Sequence, residues 1–286
     1  MISLPNTVTI IEVGPRDGLQ NEKNYVKTEH KLAYIRALQA AGITEMEVTS
    51  FVSPKWVPQM ADANEIMARI DRLGKQFVLT PNERGMENAK TMGADHIAVF
   101  VGVSSTFNQK NINKTTAEAV EQLRAPIAEL LNHNIFVRAC ISTAFYCPYE
   151  GKQGIDDVIS LCREFVEMGV HELSVADTVG KASPLESYTL FSLLKKEFPD
   201  TLITAHFHDT EKMALANIFA ALQAGVDRFD SSAGGLGGCP FAPGATGNVA
   251  TERVVHMLHR MGIATGIDED LLKEAVAVIS PHVSIH

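Results

Sequence analysis

The sequence alternates eight times between short apolar segments with strand character and longer amphipathic segments with helix character. The predicted strands are Val8–Val13, Glu45–Phe51, Gln76–Thr80, His96–Val103, Phe136–Thr143, Glu172–Asp177, Leu202–His208 and Arg228–Ser232. The predicted helices are Thr28–Ala41, Ala61–Leu73, Glu83–Met92, Thr116–Leu131, Ile155–Met168, Leu185–Phe198, Met213–Ala224 and Val249–Met261, with a last helix at Asp268–Ile279. Such alternation is typical of parallel sheets, in which each strand is followed by a returning helix.

Four of the predicted joints from a helix to the next strand share a glycine followed by an apolar residue: Gly42-Ile43, Gly93-Ala94, Gly169-Val170 and Gly225-Val226. A glycine directly after a helix adopts the left-handed cap conformation, and the next residue then packs inward. The repeat supports a chain of parallel βα units.

Eight units in 286 residues match the size of a TIM barrel. The competing fold is a doubly wound sheet, which is expected to place a G-x-G-x-x-G turn after its first strand. The segment at that place is Gly14-Pro15-Arg16-Asp17-Gly18, which does not fit. We therefore predict an α/β fold, a single (β/α)8 TIM barrel with an extra C-terminal helix, as one catalytic domain over residues 1–286.

The formal net charge of −9 makes nucleic acid or an anionic membrane a poor partner for this chain. No apolar run approaches the roughly 18–20 residues of a membrane span. The first residues show no signal-peptide pattern, so we expect a cytoplasmic protein. The four cysteines form no C-x-x-C pair, which argues against structural zinc and predicts free thiols.

Chemistry in a TIM barrel takes place at the carboxyl ends of the strands. Polar residues concentrate there in this sequence: Arg16, Asp17, Glu47, Asp177, His206, His208, Cys239 and Asn248. His206 and His208 lie two positions apart on one strand, so both imidazoles face the same side. Together with Asp17 and Asn248 they form a mixed nitrogen and oxygen set that suits Mg²⁺, Mn²⁺ or Zn²⁺. The alternative is two histidines hydrogen-bonded to barrel neighbours.

Several other residues at this end have two interpretations. Arg16 either forms a turn salt bridge with Asp17 or donates to a developing oxyanion. Glu47 is either a buried partner of Arg16 or an acid/base group. Asp177 either begins a helix or takes part in the site. Glu252, one helical turn after Asn248, either orients that amide or is a solvated charge.

Two loops add candidates. Cys239 lies in the glycine-rich run Ser231–Glu252, where it is either a small buried residue or an exposed reactive thiol. Lys110 and Asn111 lie in a basic, amide-rich segment predicted to be a loop after the fourth strand. This loop either binds a phosphate or carboxylate of the substrate or is only solvated.

Five motifs resemble those of the 3-hydroxy-3-methylglutaryl-CoA lyase family, and the resemblance extends from about Val8 to the last helix. They are EVGPRDGLQNE (Glu12–Glu22), TSFVSPKWVPQM (Thr49–Met60), CPYEG (Cys147–Gly151), HFHDT (His206–Thr210) and GGLGGCPFAPGATGNVATE (Gly234–Glu252). The family is a metal-dependent TIM-barrel group that also contains acyltransferases of the synthase type.

The resemblance implies that Mg²⁺ or Mn²⁺ is held by Asp17, His206, His208 and Asn248. It implies that Arg16 stabilises the enolate of the acyl-CoA substrate and that Cys239 is the acid/base group on a mobile loop. Glu47 and Asp177 would support the site, and Glu252 would support the metal ligand. Independently of the resemblance, we predict that Lys110 and Asn111 contact the substrate. The implied reaction splits the substrate into acetoacetate and acetyl-CoA. We also expect a homodimer, because the outer faces of a barrel often support dimers, and a catabolic role such as leucine degradation.

Three other functions remain open from the sequence. The bulky Phe145 and Tyr146 before CPYEG are candidates for reshaping the acyl pocket, which would suit a lyase for a longer-chain 3-hydroxy-3-alkylglutaryl-CoA. A synthase-type acyltransferase would share the barrel and the metal site. A metal-bound structural barrel would need Cys239 and Arg16 only for packing.

Overall fold

The computed structural model describes residues 4–237 and 247–284, and within them eight parallel strands close into a barrel. The strands are β1 (Thr9–Glu12), β2 (Glu45–Ser50), β3 (Lys75–Leu79), β4 (His96–Gly102), β5 (Phe136–Ser142), β8 (Glu172–Asp177), β9 (Leu202–Phe207) and β10 (Arg228–Ser231). Each pairs with its neighbour along the chain, and β1 pairs with β10 to close the barrel. The predicted TIM barrel is confirmed.

Ten helices are described in residues 4–237 and 247–284, and most of them surround the barrel. They are α1 (Thr28–Ala40), α2 (Ala63–Arg69), α3 (Glu83–Thr91), α4 (Ser105–Ile112), α5 (Thr116–Asn132), α6 (Ile155–Glu167), α7 (Pro184–Glu197), α8 (Ala214–Gln223), α9 (Thr251–Arg260) and α10 (Glu269–Ile279). The predicted extra C-terminal helix is α10, which packs against α1. No helix of the described ranges combines the length and apolarity needed to cross a membrane.

The segment that carries Lys110 and Asn111 is helix α4, so the prediction of a loop there is wrong. The side chain of Ser104 accepts a hydrogen bond from the backbone N–H of Phe107 and caps this helix. Few apolar residues mark the helix in the sequence, because only Phe107 and Asn108 of it are buried. Local capping rather than an apolar stripe therefore determines this element.

The four glycine joints have the predicted conformation, with φ between 71° and 95° at Gly42, Gly93, Gly169 and Gly225. In each joint the residue after the glycine donates its N–H to a carbonyl five residues back, as Ile43 does to Leu38 at 3.1 Å. This is the Schellman pattern, which ends the helix and turns the chain into the next strand.

The apolar core lies mainly between the barrel and its helices. Phe145 belongs to this outer layer, with its ring centroid 6.3 Å from Phe191 and 6.2 Å from Phe207. β5 ends at Ser142, and Tyr146 begins a small antiparallel hairpin of β6 (Tyr146–Cys147) and β7 (Gly151–Lys152). Phe145 therefore packs between α7 and β9 in the outer layer, which removes it as a reason to expect a reshaped acyl pocket.

Candidate active site

The turn after β1 brings Arg16 and Asp17 to the barrel mouth. The carbonyl of Val13 accepts three backbone N–H groups, from Arg16 at 3.2 Å, Asp17 at 2.7 Å and Gly18 at 3.1 Å. This tight π-helical turn, Gly14–Gly18, needs a residue without a side chain at its start. A Cβ atom on Gly14 would lie 2.5 Å from Tyr34 Oη and 2.6 Å from Glu12 Oε1.

Asp17, His206 and His208 form a cluster in which one potential ligand atom of each lies within 4.8 Å of the others. His206 is the penultimate residue of β9, and His208 follows the strand, with the two ring centroids 5.2 Å apart. Asp230 on β10 contacts Nδ1 of His206 at 3.1 Å and orients that ring. Nδ1 of His208 is buried without a hydrogen-bond partner in the described structure.

Asn248, near the end of the glycine-rich run, lies next to this cluster. It forms a β-bridge with His208, and its Nδ2 donates to Asp17 Oδ2 at 2.8 Å and to the carbonyl of Leu236 at 3.2 Å. Because the amide nitrogen is directed at protein oxygens, the amide oxygen is the atom suited to a cation. One carboxylate, two imidazoles and one amide therefore fit a divalent metal ion.

The electrostatics of the cluster suit cation binding. Burial would raise the pKa of Asp17, but the charges of Arg16 and the two histidines outweigh burial and lower it to about 2. Burial, together with neighbouring His206, lowers the pKa of His208 to about 4. Asp17 is therefore ionised and His208 neutral near pH 7, the protonation states required of metal ligands. Burial would lower the pKa of His206, but Asp230 and Asp17 raise it, so a metal ion would have to displace a proton from this ring.

Arg16 lies between two carboxylates. Its Nε donates to Glu47 Oε2 at 2.6 Å and its Nη1 to Asp17 Oδ1 at 2.5 Å. Burial alone would lower the pKa of Arg16, but Glu47 and Asp17 raise it, so the guanidinium stays protonated. The structure thus supports the interpretation of Glu47 as a buried partner that holds Arg16 beside the cluster of Asp17, His206 and His208, called the metal cluster below because it could hold an ion.

Asp177 organises the loop after β8. Its two carboxylate oxygens accept backbone N–H groups from Gly180, Lys181 and Ala182 at 2.8–3.2 Å. Burial raises the pKa of Asp177 to about 6, against the effect of these hydrogen bonds. The carbonyl of Asp177 also accepts the N–H of His208 at 3.4 Å, so this residue links the loop to the metal cluster.

The remaining predicted residues lie outside this constellation. Glu252 accepts the N–H of Gly234 at 3.0 Å rather than orienting the Asn248 side chain. Lys110 and Asn111 are exposed on α4, where Lys110 Nζ lies 4.8 Å from the centroid of the Tyr149 ring. Cys239 falls between residues 237 and 247, outside the described residues, and its role stays a prediction.

The sequence analysis missed charged residues inside the barrel below the site. They are Glu45, Arg138, Glu172, Arg228 and Asp230, and all of them are buried. The sequence pattern could have indicated them, because charged residues recur at every second position of several strands, as in Glu45 and Glu47 or Arg228 and Asp230. Residues spaced by two point to the same face, here the barrel interior.

Comparison with known proteins gives consistent matches over almost the whole chain. The family model described as HMGL-like matches residues 7–279. The chain is 46% identical to hydroxymethylglutaryl-CoA lyase YngG of Bacillus subtilis, covering 95% of this chain and 91% of that protein. It is also 46% identical to the mitochondrial hydroxymethylglutaryl-CoA lyase of Homo sapiens, covering 96% and 85%.

A solved structure of an HMG-CoA lyase from Acinetobacter baumannii, in complex with coenzyme A and 3-methylmalate, superposes with a TM-score of 0.91. It is 36% identical in sequence, and the match covers 98% of this chain and 93% of that one. The sequence identity and the coverage of these matches are both higher than expected for proteins that share only a fold. The chain therefore belongs to the HMGL-like family.

Proposed function

We propose that this protein is a metal-dependent carbon–carbon lyase that cleaves 3-hydroxy-3-methylglutaryl-CoA to acetoacetate and acetyl-CoA. The observation that carries the proposal is the contact of Arg16 with Asp17, which places a fixed guanidinium beside the metal cluster. The similarity to hydroxymethylglutaryl-CoA lyases over 95% of the chain supports the same substrate. Mg²⁺ or Mn²⁺ is the proposed ion, held by Asp17, His206, His208 and Asn248.

A bound divalent ion acts as a Lewis acid that makes the tertiary hydroxyl of the substrate easier to deprotonate. The chain's own residues supply the rest of the chemistry. Arg16 has five N–H groups, and its contacts with Glu47 and Asp17 use three of them. The remaining N–H groups can donate to the thioester oxygen as acetyl-CoA leaves as its enolate.

Proton transfer needs a separate group, because Arg16 stays protonated and Asp17 is engaged by Arg16 and Asn248. We assign this role to Cys239, which follows β10 in the glycine-rich run and matches the family motif. Asp177 positions the loop after β8, and Glu47 positions Arg16. Lys110 and Asn111 on α4 are proposed to contact the substrate from the fourth unit of the barrel.

We further propose a homodimer that acts in the cytoplasm in leucine degradation. Exposed apolar side chains on one face of α7, Leu185 and Tyr188, offer a surface for association. Relatives include proteins named cytoplasmic, as in Rattus norvegicus, as well as mitochondrial ones. Fractionation of the cells of origin tests the location, and sedimentation equilibrium tests the dimer.

The test of the reaction is an assay of purified protein with 3-hydroxy-3-methylglutaryl-CoA and Mg²⁺ or Mn²⁺. Acetoacetate and acetyl-CoA are expected in equal amounts, with loss of turnover in chelator and in Asp17→Asn. A higher kcat/KM for a longer 3-alkyl homologue would favour the longer-chain lyase. Release of CoA from acetyl-CoA and a 2-oxo acid, without cleavage of the lyase substrate, would favour the synthase-type acyltransferase.

The proton-transfer role of Cys239 has its own test. Cys239→Ser is expected to keep the melting temperature and the metal affinity of the wild type and to lose most of kcat, because a serine hydroxyl is a far weaker acid than a thiol. Normal turnover by this variant would remove Cys239 from the mechanism and leave the remainder of the proposal intact.

A further inference from the structure

The barrel interior beneath the proposed metal site contains several buried charged side chains. Arg138, in the middle of β5, is fully buried there, and its guanidinium lies 5.3 Å from the centroid of the Phe77 ring. An unpaired charge at such a depth would be strongly destabilising. The partners of Arg138 therefore determine what this residue does.

One partner leads to the metal cluster. Nη2 of Arg138 donates to Asp230 Oδ1 in a short charge-assisted hydrogen bond. The other oxygen of Asp230 contacts Nδ1 of His206 at 3.1 Å and accepts the hydroxyl of Ser174 at 2.8 Å. Arg138 thus fixes the carboxylate that fixes the His206 imidazole.

A second partner leads to Arg16. Nη1 of Arg138 lies 3.5 Å from Glu47 Oε1, and the other oxygen of Glu47 accepts from Arg16 Nε at 2.6 Å. Glu47 is about 1% exposed, so its two oxygens face two guanidinium groups in a site without bulk water. The orientation of Arg16 depends on where Arg138 holds Glu47.

The guanidinium contacts the two carboxylates in different ways: Nη2 donates a hydrogen bond to Asp230, whereas Nη1 forms only an ion pair with Glu47. A lysine at the same place would keep the charge but offer a single point of attachment. Arg138 Nε also lies 3.3 Å from Glu172 Oε1, which is a third ion pair without hydrogen-bond geometry. Glu172 is the first residue of β8, so this contact lies on the side of the Arg138 guanidinium that faces away from the barrel mouth.

We propose that Arg138 is a positioning residue that sets His206 and Arg16 in one fixed arrangement, through Asp230 and Glu47 respectively. The proposal rests on the metal-dependent lyase function given above for the role of Arg16. The part of the proposal that concerns metal binding, through Asp230 and His206, does not depend on the identity of the substrate. Arg138 itself touches neither the metal cluster nor the reacting atoms.

The experiment compares Arg138→Lys with wild type by Mn²⁺ titration, in which electron paramagnetic resonance measures free Mn²⁺ without substrate. Kd for Mn²⁺ is expected to rise about 10-fold, the usual effect of losing a partner of a metal ligand. In the lyase assay kcat is expected to fall at least about 10-fold while KM changes little, because Arg16 acts mainly in the transition state.

Arg228→Lys is the matched control. Arg228 is a second buried arginine of the barrel interior, but its ion pairs are with Glu45 and Glu172. The control is expected to lower the melting temperature as much as Arg138→Lys does while leaving the Mn²⁺ Kd and kcat within about twofold of wild type. A structural role of Arg138 alone predicts the same result for both variants.

Arg138→Gln is the second variant, because a single amide group cannot span Asp230 and Glu47 together. It is expected to lose kcat as Arg138→Lys does. If both variants fold and keep the Mn²⁺ Kd and kcat of the wild type within twofold, the positioning role is wrong. If the wild type binds Mn²⁺ but does not cleave the substrate, the lyase function is wrong. The Mn²⁺ Kd of the variants still tests whether Arg138 positions His206 through Asp230.

Discussion

Arg16 is held in place by two ion pairs with different roles. The pair with Glu47 anchors the guanidinium in the barrel, and the pair with Asp17 keeps it against the metal cluster. Neither pair is expected to contribute much net stability, because desolvation of buried charges offsets most of their attraction. The benefit of this arrangement is therefore orientation of the donor rather than stability of the fold.

We expect Arg16→Lys to lower kcat by about 10²–10³-fold, the usual effect of losing one fixed oxyanion donor. The ammonium keeps the charge but cannot contact Glu47 and Asp17 and still donate to substrate. Steady-state kinetics measure this effect. The control is Arg69→Lys, since Arg69 is an exposed arginine that also pairs with two carboxylates, Glu29 and Glu65. An equal loss in both variants would show that Arg16 has no special role.

Residue types at the strand ends were sufficient to predict that Asp17, His206 and His208 lie together, with Arg16 beside them. The H-x-H pair places two imidazoles on one face, and the turn after β1 adds Asp17 next to them. The residues that orient this cluster, Arg138 and Asp230, were not predictable in the same way. Their contact joins β5 to β10 and depends on how the barrel closes, which no local pattern specifies.

At the level of elements, two glycines of the glycine-rich run, Gly237 and Gly247, lie in close backbone contact beside the site. Gly247 has φ of 73°, and a Cβ on it would lie 1.7 Å from the carbonyl oxygen of Gly237. Such a distance requires the backbone to move, and the next residue is the proposed ligand Asn248. The glycine at this position therefore determines where that amide lies.

We expect Gly247→Ala to weaken Mn²⁺ binding and to reduce kcat as well as lowering the melting temperature. The matched control is Gly225→Ala, which also replaces a glycine of positive φ, 88°, but places its Cβ in open space. The control should lose only about 1–2 kcal/mol from the left-handed backbone conformation. Calorimetry and Mn²⁺ titration measure the two effects, and equal Mn²⁺ affinity in both variants would contradict this prediction.

The joint between β1 and the start of α9 contains a buried carboxylate, Glu12. It accepts Thr251 Oγ1 at 2.7 Å and the backbone N–H groups of Gly14 and Ala233 at 2.7 and 2.9 Å. Burial nevertheless raises its pKa from 4.5 to about 7. The folded protein then binds this proton more tightly than the unfolded chain. Its contribution to stability is therefore complete below pH 4.5 and is lost as pH rises through about 7.

This linkage amounts to about 3 kcal/mol between the two limits. We expect Glu12→Gln to flatten the fall in the free energy of unfolding between about pH 5 and about pH 8, as measured by urea denaturation. Glu65→Gln, at an exposed position on α2, should leave the slope unchanged. An unchanged slope in Glu12→Gln would mean that the carboxylate is already ionised at pH 5 in the folded protein.

Across the whole molecule, the alternation of strands and helices predicts the barrel, because eight parallel units have few other ways to bury both faces of a sheet. The interior of this barrel departs from the usual layers of branched apolar residues. Only a small apolar cluster of Ile11, Val13 and Phe77 lies apart from the main core in the described ranges. Charged side chains, among them Arg138, Glu172 and Asp230, are also buried in the interior, and their ion pairs join the site to strands on the far side of the barrel.

This coupling predicts that metal binding stabilises the entire barrel rather than one loop, since the proposed ligands come from the turn after β1, the end of β9 and the segment before α9. An ion that binds only the folded state adds about 2.7 kcal/mol at a concentration 100-fold above its Kd. For a chain of this size that corresponds to a rise in melting temperature of roughly 5 °C.

Calorimetry in Mn²⁺ at constant ionic strength measures the rise, which should grow with the logarithm of the Mn²⁺ concentration. Asp17→Asn should abolish it, because the amide carries no charge and the other ligands alone bind the ion weakly. The acidic chain, with net charge −9, offers exposed carboxylates elsewhere as well. An equal rise in wild type and Asp17→Asn would therefore place the stabilising ion on those carboxylates and not at the barrel mouth.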